Sequence, residues 1–113
     1  MISIDAIQEL FDDIKEVKKW NIDEPLRYGY FFLDNDLGKL NILGNELEKQ
    51  GYTFVETFEA EPEETDELEM YYLHVEKIEI HSVESLFERN KQLYRIADEF
   101  ELDSYDGFDI GEV

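Results

Sequence analysis

Two histidines, one short acidic run and an excess of carboxylates are the only residues here that could do chemistry. His74 and His81 enclose Glu76 and Glu79, and His and Glu are zinc ligands. Zinc needs three or four of them converging on one point. Residues two apart on a regular strand share a face. His74 therefore goes with Glu76 on one face, and Glu79 with His81 on the other. That arrangement argues for a surface or half-buried histidine beside a helix cap, not for a metal centre. Asp34-Asn35-Asp36 begins like a calcium loop, but Lys39 stands where the sixth-position glycine belongs and Asn45 where the twelfth-position acid belongs. Helix capping is the better reading of that run. With thirty acids in the chain, carboxylate pairs fit for acid–base work arise by chance, and no spacing singles one out. No glycine-rich phosphate loop is present, and no Ser-His-Asp set can be assembled. The chain has no cysteine, which excludes thiolate metal sites and disulfides. No catalytic residue, no metal and no cofactor are expected.

The charge says more. Thirty acidic residues face ten basic ones, a formal charge of -20 on 113 residues. Such a chain repels nucleic acid and anionic membrane surfaces. Acidic chains are often disordered, but this one carries eight Phe, seven Tyr and one Trp, enough for a core. The length fits one domain, 1–113, and a chain of this size buries roughly two thirds of its unfolded surface. The start, Met1-Ile2-Ser3-Ile4-Asp5, has no basic leader, and no run of about 18 apolar residues exists. A cytoplasmic protein with a basic protein partner is the expectation.

The elements that would position these groups follow from periodicity. Ile4, Ile7, Leu10, Phe11, Ile14 and Val17 recur at helical spacing and predict a helix over 4–19, capped by Ser3. Leu26 to Leu33 reads as a strand. Asp34-Asn35-Asp36 then caps a second helix with a Leu37, Leu40, Leu43, Leu47 stripe, stopped at Gly51. Gly44 inside that helix suggests a close approach to the sheet. Tyr52 to Phe58 and Met70 to Val75 read as strands flanking an acidic loop, 59–69. Ser82 caps a third helix whose stripe runs from Val83 to Phe100 and includes Asn90, read as a hydrogen-bonded core amide. Leu102 to Ile110 is the last extended segment. Gly107 within it suggests a bulge, a tight bend or an Asp-Gly turn.

The order is a helix and then βαββαβ, the ferredoxin-like split βαβ pattern of an antiparallel α+β sheet. The first and third strands should be central. Strand alternation places Gly29, Phe31, Leu33, Val55, Leu73, Val75, Phe108 and Ile110 under the two crossover helices. It leaves Tyr28, Tyr30, Phe32, Tyr72, His74 and Tyr105 on the other face. Three covers for this aromatic face are conceivable. The first helix could fold across it, a protein partner or second copy could dock on it, or bases could stack on it. The charge opposes the third.

The end of the chain resembles a known family. The helix 82–100 closes in Ala97-Asp98-Glu99-Phe100, and Tyr105-Asp106-Gly107-Phe108 follows. This is similar to the RraB family, regulators of ribonuclease E activity, which carry a Tyr-Asp-Gly-aromatic element after a final helix ending in Ala-x-x-Phe. Phe108 stands where Trp is common. The Leu-x-x-Leu helix ending near Gly51-Tyr52 and the overall acidity fit as well, and the resemblance covers roughly residues 26–112. It implies a ferredoxin-like α+β fold and a bacterial, cytoplasmic adaptor that inhibits a ribonuclease without catalysis of its own.

A non-enzymatic regulator docking on a basic protein, a ribonuclease or its scaffold region, is therefore the leading expectation. An immunity-type protein neutralising a basic nuclease toxin is the alternative, and a carboxylate enzyme using a divalent metal is a third. The partner-binding candidates are Glu61, Glu63, Glu64, Asp66 and Glu67 in the acidic loop, with Asp103, Tyr105, Asp106 and Asp109 near the end. Tyr28, Tyr30, Tyr72 and His74 are the candidates on the aromatic face.

Overall fold

Ser3 starts the first helix by accepting a hydrogen bond from the Ala6 amide, and α1 runs over Ile4–Asp13. The computed structural model of the protein describes residues 2–60 and 69–113. Beyond Asp13 the helix widens into a π-helical turn, Ile14–Lys18, closed by a left-handed Lys19. A wider turn advances fewer degrees per residue, so the apolar stripe slips out of phase. Ile7, Phe11 and Ile14 are buried, but Val17 is 71% exposed, against its expected place on the stripe.

Among the described residues four strands follow the helical start: β1 (Leu26–Asp34), β2 (Thr53–Glu59), β3 (Tyr71–Glu79) and β4 (Ser104–Gly111). Helix α2 (Leu37–Lys49) links β1 to β2, and α3 (Val83–Glu99) links β3 to β4. The sheet is antiparallel in the order β2-β3-β1-β4. The apolar β1 and β3 are central and the charged β2 is an edge, as its glutamates suit.

Local chemistry sets the element ends. Asp36 caps α2 by accepting from the Lys39 amide. Gly51 stops it in a positive-φ conformation (95°) that suits glycine. Asp34 is 3% exposed, and its two oxygens accept from the amides of Asp36 (2.9 Å) and Asp103 (2.8 Å). This one carboxylate clips the end of β1 to the start of α2 and the approach to β4. A methyl group at Gly44 would overlap the Phe54 ring on β2, which is the close approach the sequence suggests.

The face assignment is reversed on β1 and wrong for Tyr105, but it holds on β3 and for Phe108 and Ile110 on β4. Opposed residues of an antiparallel pair share a face. Tyr30 is opposite Val75 and Phe108, and Phe32 is opposite Leu73 and Tyr105. Tyr28, Tyr30, Phe32, Leu73, Val75 and Tyr105 therefore lie together, each at most 3% exposed, under the helices with Phe108 and Ile110. Phe31 and Leu33 belong to the opposite face with Tyr72 and His74. Val55 sits at a bulge on β2 between Phe54 and Glu56 and is 42% exposed. Parity along one strand is readable in sequence. Which parity of one strand matches which of the next is set by register, which only the ladder supplies.

Nor does the first helix cross the open face. It packs on α3, and its Ile7, Phe11 and Ile14 join the single core that also holds Leu86, Leu93 and Tyr30. All described helices thus serve one side of the sheet.

Candidate interaction face

The side of the sheet without described helices is built from alternate residues of all four strands. Across its middle, Phe31 of β1 stands opposite His74 of β3, and His74 opposite Glu56 of β2. The Phe31 and His74 rings stack at 4.4 Å with 17° between their planes. One step along, Leu33, Tyr72 and Phe58 form the next row. Tyr72 lies edge-on to Phe31 at 6.5 Å and tilted on Phe58 at 5.4 Å. Phe58 is 38% exposed, and Phe31, Leu33, Tyr72 and His74 are half-buried. The result is a small aromatic platform.

Carboxylates surround it. Glu56 flanks His74 on the edge strand. A bulge on β4 opposite Phe31 and Phe32 sets Asp106 out of register, with Gly107 at φ 128° providing the bend. Asp106 reaches Tyr72, whose hydroxyl is held above the usual phenol range by partial burial and then by this carboxylate. On the far side, Gly29 is the floor of a dip. A Cβ there would meet Asp109 Oδ1 and, at 2.9 Å, His74 Nε2. Glu76 pairs with Gly29 across the ladder and lies 4.0 Å from His74 and 3.7 Å from Arg27. Four acids and one arginine therefore share the face with the aromatic platform.

The helix side holds the other polar cluster. Glu79 takes an ion pair from Arg89 at 2.9 Å and one from Lys77 at 3.5 Å. It also lies against His81 Nε2, outside good hydrogen-bond geometry. His81 Nδ1 is 2.9 Å from Ser85 Oγ. Serine, histidine and carboxylate thus follow one another, and His81 and Ser85 line an open cavity of about 580 Å³ that Arg89 and Arg95 also border. The Ser85 hydroxyl is committed to the helix start, however: it accepts from the Ser82 amide at 2.8 Å in a reciprocal capping box. The cluster latches the end of β3 to the start of α3. Burial pushes the His81 pKa down, with Glu79 opposing and Arg89 assisting. Burial pushes Glu79 the other way, but the Arg89 hydrogen bond and charge, with His81 and Lys77, hold it below the carboxylate range.

The predicted residues are therefore divided. Tyr72, His74, Asp106 and Asp109 come together on the open face. Tyr28, Tyr30 and Tyr105 do not, because they are interior. Tyr105 donates to Asn90 Oδ1 at 2.5 Å, and Tyr28 packs edge-on against His81 at 4.7 Å. Asp103 is exposed at the turn into β4. Glu61, Glu63, Glu64, Asp66 and Glu67 lie outside the described residues. His74 and His81 fall on opposite sides, each with its own glutamate, as alternation predicts. Phe31, Phe58 and Glu56 were missed as members of the face, while Glu76 was placed beside His74 but not named as a site residue. The alternation Leu73-His74-Val75-Glu76 carried a signal for Glu76, but the aromatic run on β1 carried none for Phe31.

The architecture is thus α+β, with the described helices on one side of the sheet and an aromatic, acid-rimmed face on the other. The model of the family described as regulator of ribonuclease activity B matches residues 4–110. The chain belongs to this family, RraB. No curated protein and no solved structure matches it.

Proposed function

We propose that this chain is a non-catalytic regulator that binds a ribonuclease of the E type through a basic region outside its catalytic domain, in the cytoplasm. We infer the ferredoxin-like fold for it as well, since βαβ units split by a central strand account for both crossovers. The family match over 4–110 carries the functional reading, and the charge of -20 supplies its physics. A field of that sign speeds encounter with a Lys/Arg-rich segment and disfavours the RNA that the ribonuclease holds. Exposed acids, among them Asp103, Asp106 and Asp109, give the first contacts. Surface charges add little affinity singly, so the apolar contact must hold the complex.

Stopped-flow binding to the non-catalytic region of a ribonuclease E tests this. Association should slow by about an order of magnitude or more as salt rises from low to high, because exposed charges are screened within about 10 Å at ~0.1 M. No complex at low salt, or an association rate indifferent to salt, would overturn the reading.

A further inference from the structure

We propose that the open sheet face is the docking surface, and that it selects arginine over lysine on a segment of a basic protein. The inference rests on the reading above for the sign of the partner's charge. The geometry adds the residue type. Aromatic groups on the face have carboxylates beside them: Glu56 is opposite His74 in the ladder, and Asp106 lies beside Tyr72. Such a pairing suits a planar cation that stacks on a ring while its N–H fork reaches an acid. A guanidinium meets both demands. An ammonium is a point charge, more strongly hydrated, and meets only one.

Charge complementarity excludes the other occupants. A second copy would bring four carboxylates and one arginine against four and one, on partners of -20 each. Nucleic acid would set phosphates against the same rim. Glu76 is already shared with Arg27 at 3.7 Å, which leaves Glu56, Asp106 and Asp109 for the visitor. Gly29 is part of the site because its missing side chain lets Asp109 and His74 lie over the strand.

The test uses the whole chain with two peptides alike except for alternating Ser-Arg or Ser-Lys, and amide shifts by NMR. The arginine peptide should shift amides around Phe31, Tyr72 and His74, and the lysine peptide should bind several-fold more weakly. Glu56→Gln with Phe58→Ser changes exposed side chains, so the fold should survive, as calorimetry would verify. That double variant should lose about tenfold in affinity for the arginine peptide, the scale of losing one platform contact and one charge. Equal binding of the two peptides, shifts confined to α2 and α3, or a variant that binds like the parent would each overturn the inference. So would a dimer by sedimentation that Phe58→Ser dissolves, which assigns the face to a second copy. The same variant separates this inference from the functional reading. If the ribonuclease region binds parent and variant alike, the face is wrong and the function stands. If it binds neither while the arginine peptide maps to the face, the reverse holds.

Discussion

Tyr105→Phe should destabilise the protein by about 2 kcal/mol, although it removes one oxygen atom. Tyr105 is 3% exposed and Asn90 1% exposed. The phenol donates to Asn90 Oδ1, and Asn90 Nδ2 donates to the Leu86 carbonyl at 2.9 Å. Burial pushes the phenol far above its usual pKa, so it stays a donor at every accessible pH. Without the hydroxyl, the Asn90 oxygen is left bare in an apolar core. An orphaned buried acceptor costs roughly 1–3 kcal/mol, whereas a hydrogen bond is worth only about 1 kcal/mol net. Unfolding entropy near ~2.1 cal/mol/K per residue gives about 0.24 kcal/mol/K for this chain, so the expected fall in Tm is about 8 °C. Calorimetry of Tyr105→Phe, Asn90→Leu and the double variant supplies the cycle. Each single change should be costly, and the double change should recover most of the loss because no polar atom is then stranded. Additive losses would refute the reasoning. They would mean that the hydroxyl packs but does not satisfy Asn90. Unchanged stability with weakened partner binding would return Tyr105 to the surface role its motif first suggested.

Two further outcomes follow from the helix side of the sheet. Gly44→Ala should lower stability by about 1 kcal/mol or more in chemical denaturation: the ~1 kcal/mol gain in helix propensity is outweighed by a methyl group driven into the Phe54 ring. Phe54→Leu in the same chain should restore it, and a stabilising single variant would deny the close approach. His81→Asn should flatten part of the pH dependence of stability. The folded His81 binds its proton less readily than the unfolded chain, whose value is about 6.5. Stability is therefore lost as pH falls below that value toward the depressed folded one. The parent should weaken relative to the variant between neutrality and about pH 5, and parallel curves would refute the shift. Comparing the two cancels the general relief of carboxylate repulsion on acidification.

Much of the fold was legible because it is written in local periodicity and caps. Ser3, Asp36 and Ser82 cap the helices as their types predict. The order of elements and the central place of β1 and β3 also followed from composition. The faces were not legible, for a physical reason. In β1 both parities are aromatic or apolar, Tyr28-Tyr30-Phe32 against Phe31-Leu33, so alternation identifies two rows without saying which is inside. On β3 the alternation is clear, and Leu73 and Val75 were rightly placed under the helices. Joining the two strands required the pairing of Tyr30 with Val75, which no single-strand pattern contains. The bulges on β2 and β4 compounded this by changing phase within a strand.

The corrected faces also change what the tyrosines mean. Hydroxyl-tipped rings suggest a half-wet surface, yet Tyr28, Tyr30 and Tyr105 are all interior. Tyr105 finds Asn90, but the hydroxyls of Tyr28 and Tyr30 have no hydrogen-bond partner among the described residues. Burial raises the Tyr28 pKa to about 12, with the Glu79 charge adding to it. Arg89 lies over the Tyr30 and Tyr52 rings at 5.9 and 5.5 Å while holding Glu79. This side of the sheet is thus a core with a polar latch, whose cation is already committed to an internal carboxylate. The other side has the opposite balance, with rings half-exposed and carboxylates in excess of cations. A charge of -20 opposes both a second copy and nucleic acid on such a face. The sheet side that keeps Tyr72 but not Tyr28, Tyr30 or Tyr105 thus combines excess carboxylates with exposed rings, which is why we propose it as the surface for a basic partner.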